Sequence, residues 1–290
     1  MAWYDKYRTA FEYPWQDIPS EVRLEITTKM KSFRAVTDPE CSVVLIAHNE
    51  ERHILGSLWS LVDNICDFSV EILVVSNNST DATDRLLEET GVCWFREEKK
   101  GPGFARQCGL NHARGKYHIC IDSDTLYPPY YIAMHVYNLR KPEVVCTYGL
   151  WSFLPDEHHP KLGLFLYESL RDIYICLQNI NRPELCVRGM VLAFRTEFGK
   201  MVGYRTDIIR GEDGMMALEL KKYGKLKLIR SRKARAVTSC GTLDGGGSLF
   251  RNIWCRFIGV MKGIVYLFTT ASEYKDRDSN LIDKNKIEEV

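Results

Sequence analysis

The sequence predicts an α/β fold: a mostly parallel, Rossmann-like sheet with helices on both faces. Three observations predict it. Short β-rich apolar runs alternate with segments of helical period from Cys41 to Asp124. Polar and glycine-containing turns separate them. Four such strands in succession require right-handed crossovers, which cover both faces of a parallel sheet. A chain of 290 residues has room for one large α/β domain with an elaborated second half.

The elements follow in order. Residues 1–40 read as a helical extension, with a helix from its N-cap at Ser20 to about Phe33 and a stop at Pro39. CSVVLIAHNE, from Cys41, is the first strand. In EERHILGSLWSLVDNI, residues Ile54, Leu55, Leu58, Leu61, Val62 and Ile65 fall on one helical face. VEILVVS is the second strand, and Ser79 or Thr80 caps a helix through Thr90 that Gly91 stops. VCWFRE is a third strand, GPGFARQCGLNHARG holds a third helix, and KYHICIDSD is a fourth strand ending in acids.

Beyond Asp124 the rhythm loosens. A helix is predicted within 125–140 after Pro128 and Pro129, and the region around LWSFLPDEHHPKLGLFLYESLRDIYICLQNI is less regular. Then come CVRGMVLAFRTEFGKMVGY, a helix opening at GEDGMMALELKKYG and a strand, KLKLIRS. GTLDGGGSLFRN is a mobile loop by composition. The expected organisation is an extension (1–40), a main domain (41–240) whose halves (41–124 and 125–240, the latter α+β) share one sheet, and a C-terminal amphipathic helical tail (241–290). In that tail Trp254, Phe257, Ile258, Met261, Val265 and Phe268 would share a helix with interspersed Arg251, Arg256 and Lys262. Its apolar runs are too short to span a bilayer. Two readings stay open: a helix packed on the core, or one lying on a membrane surface.

Composition excludes several function classes. The apolar share of 45% and charged share of 27% are those of an ordinary globular protein. A net charge of +1, with no zinc-finger, RNA-recognition or long basic segment, argues against a nucleic-acid partner. The ten cysteines are scattered without a C-x-x-C pair, several inside apolar runs. They read as buried thiols of a reducing compartment, not as a disulfide framework or a zinc site. Early acids and the lack of a continuous apolar stretch argue against a signal peptide, so a cytoplasmic location is expected.

Three groups could carry chemistry. In Asp122-Ser123-Asp124 the two acids, two apart at a strand's end, face the same side and can converge on one divalent ion. Mg²⁺ or Mn²⁺ takes such oxygen ligands and is commonly shared with a diphosphate. Read alone, Asp124 would simply cap the next helix; at the end of a fourth parallel strand the ligand reading gains, because open α/β sheets bind ligands there. The turns AHNEE, SNNSTDAT and KKGPGFARQ present polar groups at the same edge, suited to a nucleotide. A dinucleotide fingerprint is excluded, since the G-P-G turn follows the third strand and position 106 is Arg. Glu212-Asp213 opens an apolar-periodic helix, where acids are favourable in any case.

As a set, SVVLIAHNEERHI, EILVVSNNSTDATDRLL, KGPGFARQCGLNHARGKYHICIDSDT, RGMVLAFRTEFGKMVGY and RGEDGMMALELKKYGKLKLI resemble the inverting nucleotide-sugar glycosyltransferases of family 2, which have the GT-A fold. The resemblance covers roughly residues 41–238. It implies a nucleotide-diphospho-sugar donor over the first half and a glycan or lipid-linked acceptor over the second. By position, Ala47, His48, Asn49 and Glu50, then Ser76 and Asn77, would hold the nucleoside. The commoner pattern has two acids where this chain has Ser76 and Asn77, which leaves the base open. Arg106, with Lys100 and Gly103 nearby, would lie at the ribose or diphosphate. Asp124 would contact the metal, with Asp122 and Ser123 at the ribose or the ion. Asp213 would be the catalytic base, Glu212 would position it or bind acceptor, and Arg188, Gly189 and Met190 would form the acceptor-side loop. The family often adds a metal-site His after the strand that follows the "ED" helix; RKARAVTSCG has Thr238 and no His. Two rivals remain: a nucleotidyltransferase, for which AHNEERH lacks a Gly-rich basic loop, and a non-catalytic nucleotide-sugar-binding protein.

Overall fold

Two helices, α1 (Arg8–Glu12) and α2 (Ser20–Arg34), precede the sheet. Strands and helices then alternate: β1 (Cys41–Ala47), α3 (Ile54–Val62), β2 (Val70–Asn77), α4 (Thr83–Thr90), β3 (Cys93–Glu97), α5 (Pro102–His112) and β4 (Tyr117–Asp122). The second half runs β5 (Thr125–Leu126), α6 (Tyr131–Leu139), β6 (Val144–Gly149), β7 (Trp151–Phe153), α7 (Lys161–Asn181), β8 (Leu192–Arg195), α8 (Thr196–Val202), α9 (Glu212–Leu220), β9 (Lys225–Ile229), β10 (Ala236–Thr238) and α10 (Gly241–Asp244). This computed structural model describes residues 2–34, 36–244, 251–255, 257–258, 261 and 280–282.

Seven strands form one sheet in the order β3-β2-β1-β4-β8-β6-β9. Only β8 runs against its neighbours β4 and β6; the remaining pairs are parallel. The inner strands β1 and β2 are mostly apolar and buried at all but one position, Ile46, as strands covered on both faces must be. From β1 the chain winds outward to β3, then returns to place β4 on the other side of β1. That reversal between β1 and β4 is where such sheets open a crevice at their carboxyl ends. Register brings the ends level: Ile46 lies opposite Asp122, Ala47 opposite Ser76, and Asn77 opposite Glu97. A second sheet, β5-β10-β7, pairs Thr125 with Thr238 and so carries the end of β10 to the turn after β4.

Several expectations change. The helical extension expected over residues 1–40 packs on the sheet, with Tyr7, Phe11, Ile18, Ile26 and Met30 buried in the same core. Gly56 makes this possible, because a Cβ there would sit 2.6 Å from the Cβ of Phe11. Ile65 lies beyond α3 and is exposed. Helix α4 starts at Thr83, later than expected, because Asp81 rather than Ser79 or Thr80 accepts from the Thr83 N–H (3.0 Å). The irregular stretch after Pro160 is a 21-residue helix, α7. Its apolar residues lie on two faces, with Leu164, Tyr167 and Ile175 buried and Leu162, Phe165 and Ile173 exposed, which blurs the period. The glycine-rich part of the expected loop (245–250), and Arg256, Lys262, Val265 and Phe268 of the expected tail helix, lie outside the described residues. Residues 251–255 are helical, and Trp254, Phe257, Ile258 and Met261 are exposed. Among the described residues no helix is long and apolar enough to cross a membrane.

Candidate active site

The turns after β1 and β2 are built against each other. Asn49 has φ 55°, a left-handed conformation that Asn tolerates better than most residues. Its side-chain oxygen accepts from the Thr80 N–H (2.8 Å), and its own N–H donates to Ser79 Oγ (3.2 Å). The Glu50 N–H donates to Thr83 Oγ1 (2.8 Å). Ser76 Oγ is fully buried between Ser79 Oγ and Asp84. Asn77 ties β2 to the loop before α5. Its amide donates to the carbonyls of Glu97 (3.1 Å) and Lys99 (2.7 Å) and accepts from the Gly101 N–H (2.9 Å). A carboxylate could not make the two donated bonds, which accounts for Asn where the resemblance led to an acid. His48 Nδ1 lies 2.7 Å from the Asn77 carbonyl; a carbonyl only accepts, so that nitrogen carries the proton.

The acids converge on one arginine. Arg106, on α5, is 2% exposed and donates from Nη2 to Asp122 Oδ1 (2.6 Å) and from Nη1 to the Ile121 carbonyl (3.2 Å). Its Nε lies 3.4 Å from Asp213 Oδ1. Burial works against the guanidinium charge, but Asp213 and Asp122 outweigh it and hold Arg106 well above its ordinary range. Burial pushes the Asp213 carboxyl up to about 7; Glu212 and Asp122 push the same way, while Arg106 and Arg188 oppose. Gly189 sits where the two side chains meet, since a Cβ there would collide with both Arg106 Nη2 and Asp213 Oδ2. The turn carrying Asp124 is held by the Ser57 hydroxyl, whose oxygen lies 2.5 Å from the Ser123 carbonyl and 2.7 Å from the Thr125 carbonyl and shares its one proton between them.

Two cavities open here. One, of about 430 Å³, is lined by Ala47, His48, Glu50, Asn77, Lys100, Arg106 and Ser123, among others. The other, of about 960 Å³, is lined on its far side by Arg182, Glu184, Arg188, Gly189, Met190 and Arg210. Pro102, Asp122, Asp124, Glu212 and Asp213 line both. Three residues expected at the donor do not line the smaller cavity. Asn49 and Ser76 spend their polar groups on the turn-to-turn contacts, and Gly103 packs under the Arg205 carbonyl, which a Cβ would strike. Arg106 does line the cavity, but its guanidinium is engaged by protein carboxylates. The residue missed from sequence is Ser239: its Oγ donates to Asp124 Oδ2 (2.8 Å) and its N–H to the Asp124 carbonyl (3.1 Å). It follows Thr238 by one position, so a search limited to His ligands passes over it.

The donor set fits a hard divalent ion. Asp124 is half-buried, and desolvation, then Asp122, then Glu50 push its carboxyl up to about 6, against Ser239 and His53. Such crowding of carboxylates is what a bound cation relieves, and Asp122 and Asp124 offer the oxygen ligands that Mg²⁺ or Mn²⁺ prefers.

Relatives agree with this architecture. The model of the family "Glycosyl transferase family 2" matches residues 42–200, more than half of the chain. An uncharacterized glycosyltransferase, YfnE, of Bacillus subtilis is 31% identical over 117 residues, 39% of this chain and 30% of that protein. The chain likewise spans less than half the length of two further curated relatives. S. aureus TarS 1-349 in complex with UDP superposes with a TM-score of 0.55 at 19% identity, covering 75% of this chain and 65% of that one. The mannosyltransferase PcManGT from Pyrobaculum calidifontis, in complex with GDP-Man and Mn²⁺, gives 0.54 at 16% identity, covering 88% and 85%. At these identities the two structures speak for the shared GT-A fold. Sheet order, site position and family match together place this chain in glycosyl transferase family 2.

Proposed function

We propose that the chain transfers a sugar from a nucleotide-diphospho-sugar to a hydroxyl of a glycan or lipid-linked acceptor, with inversion at the anomeric carbon. The shared wall carries the reading: Pro102, Asp122, Asp124, Glu212 and Asp213 border both the strand-end cavity and the larger one beside it. The donor's nucleoside lies along Ala47, His48 and Glu50, with the Lys100 ammonium toward its diphosphate. The complexes of TarS with UDP and of PcManGT with GDP-Man and Mn²⁺ support that donor class.

The acceptor hydroxyl, in the larger cavity beside Arg188, Gly189 and Met190, attacks the anomeric carbon opposite the leaving diphosphate. As that C–O bond forms and the bond to the diphosphate breaks, Asp213 takes the hydroxyl proton. A carboxyl raised toward 7 is a stronger base than an ordinary one, which suits this role at neutral pH. Glu212 supports it by raising its proton affinity. Arg106 fixes Asp122 relative to Asp213 and so sets the donor side against the acceptor side. Mg²⁺ or Mn²⁺, held by Asp124 and Asp122, would neutralise charge developing on the leaving diphosphate. The exposed Trp254, Phe257, Ile258 and Met261 support a protein that meets the inner face of the cell membrane peripherally from the cytoplasm.

A thermal-shift panel of UDP-, GDP-, TDP- and CMP-sugars, with and without Mn²⁺, tests the donor site. A ligand at about a hundred times its Kd stabilises the native state by roughly 2.7 kcal/mol, so one donor class should raise Tm, more with the ion. A flat panel counts against the reading. Binding without turnover across acceptors would favour a non-catalytic binder, and pyrophosphate release a nucleotidyltransferase.

A further inference from the structure

Away from both cavities, three metal-binding side chains of different chemistry meet. Asp156, His159 and Cys240 each place one ligand atom within 4.8 Å of the others. Strand pairing brings them together. β10 lies beside β7 with Thr238 opposite Phe153, and the Leu154 N–H donates to the Thr238 carbonyl (2.8 Å). The two chains therefore leave the small sheet side by side, one into the loop before α7 and the other into Ser239-Cys240-Gly241.

The arrangement is held from behind. Asp156 Oδ1 accepts from the backbone N–H groups of His158 (2.8 Å) and His159 (2.7 Å), and its two oxygens lie 3.0 and 3.2 Å from His159 Nδ1. Cys240 Sγ donates to the Leu154 carbonyl (3.2 Å). His159 is 4% and Cys240 5% exposed, while Asp156 is at the surface. Asp156 and Cys240 also line a cavity of about 780 Å³, which gives solvent a way to this point.

We propose that Asp156, His159 and Cys240 form a second metal site, for a divalent transition ion of the zinc type. A thiolate with an imidazole selects Zn²⁺-like ions over Mg²⁺ or Mn²⁺, whose preference is for oxygen. Tetrahedral coordination at ordinary Zn–S and Zn–N lengths needs donor atoms about 3.3–3.6 Å apart, a contraction that side-chain rotations can supply. Three protein ligands leave the fourth position to water. The ion would fasten the start of the C-terminal segment to the loop before α7. Because Ser239 adjoins Cys240 and bonds Asp124, it would also steady the donor side of the main site. The rival is an Asp156–His159 ion pair at the start of α7 beside an unrelated thiol.

Co²⁺ titration of the full chain, after dialysis against a chelator, separates these. One equivalent of Co²⁺ should give a thiolate-to-metal charge-transfer band that Zn²⁺ bleaches. Cys240→Ser should abolish the band, and His159→Gln should weaken Co²⁺ binding by at least about tenfold. Asp124→Asn, which removes the expected Mg²⁺/Mn²⁺ ligand, should leave the band intact. Absence of the band in the unaltered protein overturns the proposal, whatever the variants do. A band that survives in folded Cys240→Ser overturns it too, since another thiol would then be the ligand.

Discussion

Asp213 lies against the buried guanidinium of Arg106, with Glu212 and Asp122 near enough to raise its proton affinity. The carboxyl is a base only when ionised, and burial moves that transition up to about 7. Below that value Asp213 holds a proton and cannot accept another. The value of kcat/KM, which reports the free enzyme, should fall about tenfold per pH unit below that value and level off above it. A profile flat from about pH 5 to 8 would mean that another group takes the proton. At this scale the acids Asp122, Asp124, Glu212 and Asp213 were legible, because acids at a strand end and a helix start stand out against apolar neighbours. The engagement of Arg106 was not, since its partners come from β4 and α9. Nor was the need for Gly189, which rests on two side chains from other elements meeting above it.

The strand ends act as units. Asn77 closes β2 and pins the β3–α5 loop through three hydrogen bonds, bringing Gly101 (φ 140°) and Lys100 to the smaller, strand-end cavity. Asn77→Asp would set a carboxylate against the Glu97 and Lys99 carbonyl oxygens. It should cost about 1–3 kcal/mol, read as a lower denaturant midpoint, and weaken donor binding as the loop shifts. An unchanged midpoint would show that the loop does not depend on this amide. The order of strands and helices in the first half could be read from apolar runs and the turns between them, but not the start of α4 or the end of α3. The 21-residue α7 could not, because its two apolar faces cancel the alternation with polar residues. Ser239 escaped for a similar reason: only the β5–β10 pairing carries it to Asp124.

Across the whole molecule, one sheet supports both cavities and the N-terminal helices complete its cover. Phe11, 2% exposed, fits over Gly56 and beside the His53 ring (5.0 Å between centroids). Phe11→Ala should therefore cost about 3–5 kcal/mol in equilibrium unfolding. A loss below about 0.5 kcal/mol would show that residues 1–40 contribute little to the core. Sequence pattern located the sheet but not this packing, because the short α1 carries too few residues to display a period. If a donor and an acceptor meet across one acidic wall, Asp213 is the base between them. The most direct test is Asp213→Asn, measured for donor Kd and for transfer rate on the same preparation. Donor Kd is expected to stay within about threefold while transfer drops by at least about a hundredfold. Transfer retained near the native rate, or donor binding lost in step with it, would mean that Asp213 is not the base.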